Sequence, residues 1–390
     1  MKKILFISYD FPYPTNTGGK NRAYNMLRHS GDNLQKFLFS FIRSDFDRRY
    51  IKEMERIGVR VLKTVRRRSV FDPRNILGIL SQQSIFNSLY FSRPVLSDII
   101  SAVSDFKIDS VHFESFYTSF FINDQIRKLG AKQIFGTENI EFKIYEDYCQ
   151  NNVPALLKPL YELQVKSIKK EETELFKMAD LCIAVSERDA KEIRKYNSKC
   201  EIIRNGVDID EFEYTEPKNK RGTRLLFVGN FTYFPNVDGI TYFYNSVFKN
   251  LGDDVSLTIV GKKVNTLPFI NDRRITCKEF VPKIADEYNR ADLVVSPLRL
   301  GGGTNFKILE AMAKGVPVVS LPSRLEGLDV KNEKDIVIVN NDNEFIAKIE
   351  VLLNDLELRK KIARSARDFV ESEYSWEVIG RKLADVWDSL

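Results

Sequence analysis

The run from Ser296 to Val319 carries the densest chemistry in the chain. It reads Ser296-Pro297-Leu298-Arg299-Leu300-Gly301-Gly302-Gly303-Thr304-Asn305-Phe306-Lys307, continues through Glu310, and closes on Gly315-Val316-Pro317-Val318-Val319. The pattern predicts a strand, a triple-glycine turn, a helix of about ten residues, a glycine stop and a second strand. Glycines let the main chain approach a bulky anion, and the free N–H groups opening a helix can cradle phosphate oxygens. Lys307 falls in the first helical turn, within reach of a diphosphate. Glu310 follows one turn later on the face of Lys307 and Phe306, where a carboxylate can accept two hydrogen bonds from a ribose diol. A glycine-rich connection with an incidental acidic residue is the plainer alternative.

Other polar residues sit at strand ends. Ser110-Val111-His112-Phe113-Glu114-Ser115 reads as a strand entering a loop, with His112 and Glu114 on one side of it. Glu138-Asn139-Ile140-Glu141 follows another strand. Asp208-Ile209-Asp210 has the D-x-D spacing of a metal-diphosphate site, yet a helix start and a lysine already cover the cation's task, so no metal is expected. Gly18-Gly19 lacks the G-x-G-x-x-G of a dinucleotide fold. The four cysteines, Cys149, Cys182, Cys200 and Cys277, are scattered, and His29 is far from His112. That excludes a zinc site or a disulfide framework and leaves buried or idle thiols in a reducing cytoplasm.

A chain of 390 residues exceeds one ordinary hydrophobic core, so two domains are expected. With 43% hydrophobic and 29% charged residues it is of soluble, globular composition. Ile4-Leu5-Phe6-Ile7 is too short for a signal peptide and reads as a first buried strand; no run approaches the roughly 18 apolar residues of a membrane span. Further strands are expected at 36–42, 58–63, 109–113, 132–136, 180–185 and 201–204, with helical periodicity over 155–178 carried by Leu156, Leu160, Leu163, Ile168, Leu175 and Phe176. Glu216-Pro217-Lys218-Asn219-Lys220-Arg221-Gly222 has linker composition, after which Arg224-Leu225-Leu226-Phe227-Val228-Gly229 mirrors the opening strand. Strands at 255–261, 275–281, 292–297 and 316–321 follow. The expected organisation is two α/β Rossmann-like domains, 1–215 and 224–370, a 216–223 linker, and a last helix in 371–390 crossing back to the first domain. They would face each other across a cleft.

The net charge is +6, and Arg56, Arg60, Lys63, Arg66, Arg67, Arg68 and Arg74 crowd one segment, opposed by Glu55 and Asp72. An anionic membrane, nucleic acid or plain solvation would each suit such a run. No nucleic-acid module accompanies it, so nucleic acid is not expected as a partner.

Taken together, these motifs resemble the family 4 retaining glycosyltransferases of the GT-B fold. They are most similar to a bacterial group of cell-surface polysaccharide sugar transferases with a Leu-Arg-x-Gly-Gly-Gly-Thr signature and a later Glu-Gly-Leu-Asp-Val, here 326–330. Gly18-Gly19, Asn205-Gly206-Val207-Asp208, Gly229 and Tyr374-Ser375-Trp376 agree as well. The resemblance implies that Glu310 binds the donor ribose and that the backbone of Asn305 and Phe306 holds the distal phosphate. It implies that Gly18 and Gly19 form a loop closing over the donor phosphates, and that Val281, within 278–282, meets the base. It extends the donor site to Gly229, Asn230, Gly302, Gly303 and Thr304. It places Glu114, with His112, beside the reacting sugar, with ordinary strand-end polar residues as the equal alternative. Two departures stand out. The first glutamate of the family's Glu-x7-Glu falls at Gly302, and two family cations fall at Asn230 and Asn236. Lys307, Arg299 and Arg22 are the candidates to restore that charge.

The implied reaction is metal-independent, cofactor-free retaining transfer from a UDP- or GDP-sugar to a glycan or lipid-linked acceptor, in the cytoplasm or at the inner face of the membrane. The leaving phosphate takes the acceptor's proton, and Lys307 stabilises the leaving group. A nucleotide-sugar 2-epimerase and a non-catalytic nucleotide-sugar-binding paralogue are the rivals.

Overall fold

The computed structural model describes residues 1–72, 75, 83–299, 306–325 and 327–390. The chain divides into two compact units: Met1–Arg204 together with Ile379–Leu390, and Asn205–Val378.

The first unit is built on a seven-stranded sheet in the order β3-β2-β1-β4-β5-β6-β7. Its strands are β1 Lys2–Ser8, β2 Leu34–Ile42, β3 Val59–Arg66, β4 Ser110–Glu114, β5 Lys132–Gly136, β6 Leu181–Ala184 and β7 Cys200–Ile202. Every pairing is parallel. Parallel sheets are covered on both faces, which is why Ile4, Leu5, Phe6 and Ile7 all have no exposed surface although they alternate sides. The strand order turns back between β1 and β4, and a crevice opens at the carboxyl ends of the strands at such a reversal. Register sets Ser8 opposite Glu114 and Glu114 opposite Gly136 along that edge.

The second unit repeats the plan with six strands ordered β10-β9-β8-β11-β12-β13. They are β8 Arg224–Val228, β9 Ser256–Val260, β10 Ile275–Lys278, β11 Leu293–Ser296, β12 Val318–Ser320 and β13 Val337–Ile338. The reversal here lies between β8 and β11, and one core on each face covers the sheet.

The division falls ahead of Asn205 instead of in the polar 216–223 stretch. Val207 bridges to Ser375, donating its N–H to the Tyr374 carbonyl at 2.8 Å, while the Trp376 N–H donates to the Val207 carbonyl at 3.2 Å. Gly206 permits this, because a Cβ there would lie 2.8 Å from the Trp376 ring. The Arg367 guanidinium donates to the carbonyls of Phe212 and Ala313, each at 2.8 Å. The polar stretch itself is tied down: Asn219 donates to Asp292 at 2.6 Å and the Gly222 N–H to the Leu353 carbonyl at 2.7 Å. The Trp376–Ser389 helix begins in the second unit and belongs to the first from Ile379 onward.

The periodicity over 155–178 predicts a helix with Leu156, Leu160, Leu163, Ile168, Leu175 and Phe176 among its apolar positions. The structure has a Lys158–Met178 helix preceded by a Glu141–Asn152 helix. Ile168, Leu175 and Phe176 are buried, whereas Leu156, Leu160 and Leu163 are 91%, 54% and 60% exposed.

Candidate active site

In the second unit, the Phe306–Lys314 helix follows β11 across residues 300–305. Gly301, Gly302, Gly303, Thr304 and Asn305 therefore lie outside the described residues, as do Arg74 and Glu326. Ile308, Leu309 and Met312 bury one face of the helix, which leaves Phe306, Lys307 and Glu310 half-buried on the other. Glu310 Oε2 accepts a 2.8 Å hydrogen bond from Tyr288, itself fully buried, whose hydroxyl also lies 3.3 Å from the Lys307 carbonyl. Burial pushes the Glu310 carboxyl up to about 7, against the Tyr288 bond that favours its ionised form. A carboxyl so poised gains from a ligand that donates hydrogen bonds to it. Tyr288 escaped sequence reasoning because a lone tyrosine 22 positions upstream of Glu310 has no distinguishing pattern.

Lys307 Nζ donates to Asn236 Oδ1 at 3.0 Å and lies 4.5 Å from the Phe227 ring centroid. Asn236 in turn donates to the Asn230 carbonyl at 2.9 Å and packs where a Gly229 side chain would stand, 3.0 Å from that missing Cβ. Gly229, Asn230, Asn236 and Lys307 are thus one group at the end of β8. The lysine ammonium occupies the neighbourhood of Asn230 and Asn236.

Arg299 goes elsewhere. It pairs with Asp238 at 2.7 and 3.3 Å and stacks over Tyr242, so its charge is already balanced along the Phe234–Ser246 helix. Asp238 lies two residues past Asn236, and neighbours so spaced on a helix point to different faces. Val281 is half-buried against the core that includes Val260, Tyr288 and Ile308, and Phe280 beside it is 83% exposed. Asp208 uses Oδ1 to accept from the N–H groups of Asp210 and Glu211, at 3.1 and 3.0 Å. That is a turn cap, and among the described residues no cluster of three His, Cys, Asp or Glu side chains is placed to hold a metal.

In the first unit, the edge at the ends of β1, β4 and β5 gathers a second constellation. Arg22 Nε donates to Glu114 Oε1 at 2.9 Å and its Nη1 to the Ile203 carbonyl at 3.0 Å. Glu114 Oε2 lies 2.7 Å from His112 Nε2, and Trp387 Nε1 donates to His112 Nδ1 at 3.1 Å. An indole N–H can only donate, so Nδ1 is the acceptor and the ring carries its proton on Nε2, facing Glu114. Burial alone would raise the Glu114 carboxyl; Arg22 and the His112 bond more than offset it and hold it below the usual range. Gly136 leaves the room this requires, since a Cβ there would sit 2.3 Å from His112 Nε2 and 2.5 Å from Glu114 Oε2.

The structure places three of the expected site groups as follows. His112 and Glu114 have no exposed surface and Arg22 has 1%, so none of them presents an open face to a sugar or a phosphate. They lie beneath the edge, bonded to one another, with Arg22 paired to Glu114. Gly18 and Gly19 open the Gly18–His29 helix, capped by Thr17, and so form a first helical turn instead of a loop.

Next to the pair stand Tyr9 and Glu138. Tyr9 donates to Glu138 Oε2 at 3.3 Å. Gly19 backs onto both, because its missing Cβ would lie 2.1 Å from the Tyr9 hydroxyl and 2.6 Å from Glu138 Oε1. Burial, then the neighbouring Glu114 charge, pushes the Glu138 carboxyl up to about 8. The edge therefore presents a helix N-terminus beside a carboxyl that holds its proton at neutral pH.

The chain's relatives agree with this architecture. The pattern described as Glycosyltransferase Family 4 matches residues 50–211, and that described as Glycosyl transferases group 1 matches residues 222–355. An uncharacterized 44.6 kDa protein in the cps region of Klebsiella pneumoniae is 23% identical, over 96% of this chain and 97% of its own. The capsular polysaccharide biosynthesis glycosyltransferase CapM of Staphylococcus aureus is 25% identical, over 47% of this chain and 53% of its own. Among solved structures, Anabaena HepE in complex with UDP and glucose superposes with a TM-score of 0.71 at 14% identity, covering 100% of both chains. Sucrose-phosphate synthase from Thermosynechococcus elongatus gives 0.71 at 15% identity, covering 100% of this chain and 99% of its own. With a family 4 pattern on its first half, a group 1 pattern on its second and the same two-domain plan throughout, the chain is a family 4/group 1 glycosyltransferase of the GT-B fold.

Proposed function

We propose that the protein transfers a sugar, with retention of anomeric configuration, from a UDP- or GDP-sugar to a glycan or lipid-linked acceptor in cell-surface polysaccharide synthesis. HepE, which binds UDP and glucose, and the capsule enzyme CapM support the donor class and the pathway class. The observation that carries the reading is the pairing of Glu310 with Tyr288 and of Lys307 with Asn236 on one helix. Glu310 takes the ribose diol, and the start of its helix takes the diphosphate. The acceptor hydroxyl attacks the anomeric carbon from the side on which the diphosphate departs, and that phosphate takes the proton. Lys307 balances the charge that develops there. Gly302 in place of the first motif glutamate favours a second reading, a nucleotide-sugar-binding paralogue without turnover.

Calorimetry with UDP and GDP tests the ribose contact. Glu310→Ala should weaken binding by about 1–3 kcal/mol through loss of a charged hydrogen bond. The pH dependence has a definite sign. The carboxyl titrates near 7, and the ribose needs its ionised form, so affinity should rise with pH and differ by about tenfold between pH 6 and 8. Glu310→Gln should bind weakly at both pH values and keep only the smaller change due to the nucleotide's own phosphate. Equal affinity of parent and Glu310→Ala for both nucleotides contradicts the assignment.

A further inference from the structure

The Glu141–Asn152 and Lys158–Met178 helices form a hairpin whose packing explains only half of it. Glu172 accepts from the N–H groups of Glu141 and Phe142, at 3.0 and 2.9 Å, which pins the second helix to the carboxyl edge of β5 at that residue. Thr173, Leu175 and Phe176 bury the helix from there toward β6, and Val165 and Ile168 bury its inner side as it runs back toward Lys158. That packing ends at Gln164, which accepts from the Ile85 N–H at 2.9 Å, and from there to Lys158 the helix runs on for about 9 Å at 1.5 Å per residue. The end of the hairpin, residues 156–163, therefore extends beyond the packed part of the unit.

Its far end is apolar and open. Leu156 is 91% exposed, Leu163 60%, Leu160 54% and Leu157 47%, with Tyr148 and Tyr161 in ring contact beside them. Buried α-helical stripes recur at three- and four-residue spacing, and this exposed stripe does the same. Continued along the shaft at those intervals, Leu160 and Leu163 give way to Lys166 and Lys170, both exposed. The acids on the hairpin are mostly engaged: Glu146 with Lys169 at 2.9 Å and Glu171 with the Ser84 N–H at 3.1 Å; Glu162 and Asp147 face solvent.

We propose that this tip is the protein's membrane contact, entering the headgroup region of an anionic bilayer with Leu156, Leu157, Leu160 and Leu163 while Lys166 and Lys170 meet lipid phosphates. An apolar end with a cationic shaft matches the depth profile of an interfacial helix, which buries its apolar part by about 5–10 Å. A second copy of the chain fits less well. A hairpin end offers roughly a few hundred Å², short of the roughly 800 Å² per partner of a stable interface, and it would set lysine against lysine. The basic run at Arg66–Arg68 is a poorer candidate than its sequence suggests. Arg67 and Arg68 are half-buried, and the Arg68 guanidinium donates to the Ser88 carbonyl at 2.7 Å. Among the described residues no helix is long and apolar enough to cross a membrane, so a surface contact is the mode open to them. The inference stands on the packing of this unit and is independent of the proposed reaction.

Co-sedimentation of the full chain with vesicles of about 30% phosphatidylglycerol in phosphatidylcholine is the test. The parent should bind these vesicles and bind pure phosphatidylcholine more weakly. Leu156→Ser/Leu160→Ser/Leu163→Ser should lower partitioning roughly tenfold or more, and Lys166→Gln/Lys170→Gln should remove the preference for the anionic lipid. Leu160→Trp supplies a gain of signal, because Trp376 and Trp387 are fully buried and contribute a constant background. Its emission should shift to the blue when vesicles are added. A parent that stays in the supernatant, a triple-serine variant that sediments like the parent, or an unmoved emission from the Leu160→Trp variant would overturn the proposal. So would light scattering that shows a dimer which the triple variant dissolves.

Discussion

Lys307→Met should lower kcat by about 2–4 kcal/mol worth of rate, roughly 30- to 800-fold, with little change in KM. The diphosphate gains charge as the glycosidic bond breaks, so a cation held beside it matters more in the transition state than in the ground state. Lys307 Nζ is held 3.0 Å from Asn236 Oδ1, in the group that Gly229, Asn230 and Asn236 form at the end of β8. The same geometry predicts a rescue. Lys307→Met combined with Asn236→Lys should recover part of the rate, because a lysine at 236 starts beside the position the ammonium now occupies. If the lysine stem does no more than cover the Phe227 ring, which it overlies at 4.5 Å, kcat will stay at the parental value and the double variant will gain nothing.

Arg22→Met should destabilise the first unit by about 3–5 kcal/mol, because it strands the Glu114 carboxylate without its main partner in a site that has no exposed surface. The effect has a pH signature. In the parent, Glu114 titrates below the usual carboxyl range, so its contribution is fully present above that range and fades as pH falls through the depressed value. In the variant, burial goes unopposed by Arg22 and holds the carboxyl high, so the variant loses stability as pH rises. The gap in Tm between the two should therefore be widest at neutral pH and narrow toward pH 4. A gap that does not change with pH would mean that the cost comes from the lost bonds to the Ile203 and Arg204 carbonyls and not from the carboxylate.

What could be read from the sequence follows from how local each cause is. The buried strands announce themselves through runs such as Ile4–Ile7 and Leu181–Ala184, because a parallel strand is apolar on both faces. The helix at Phe306 is equally legible, since glycine before it and Gly315 after it are local signals. The roles of side chains are less so. Nothing in the residues around His112 shows that Trp387, 275 positions on, will fix its tautomer and close it off from solvent. The division ahead of Asn205 is hidden for the same reason. Val207 pairs with Ser375 far along the chain, and composition cannot register that pairing. Periodicity over 155–178 identifies a helix correctly but not where its core ends, because burial of Leu160 and Leu163 depends on how far the sheet extends beneath them.

The central claim, catalysis of sugar transfer from a nucleotide sugar without a metal, is tested most directly by following nucleoside diphosphate release from a panel of UDP- and GDP-sugars in the presence of EDTA. Phosphates held by a helix N-terminus and a lysine need no divalent cation. One donor should be consumed at a rate EDTA leaves unchanged, and the rate should fall in Lys307→Met. A protein that binds UDP or GDP in calorimetry yet consumes none of the panel with or without added acceptor glycan, or that turns over only when manganese is supplied, would contradict it.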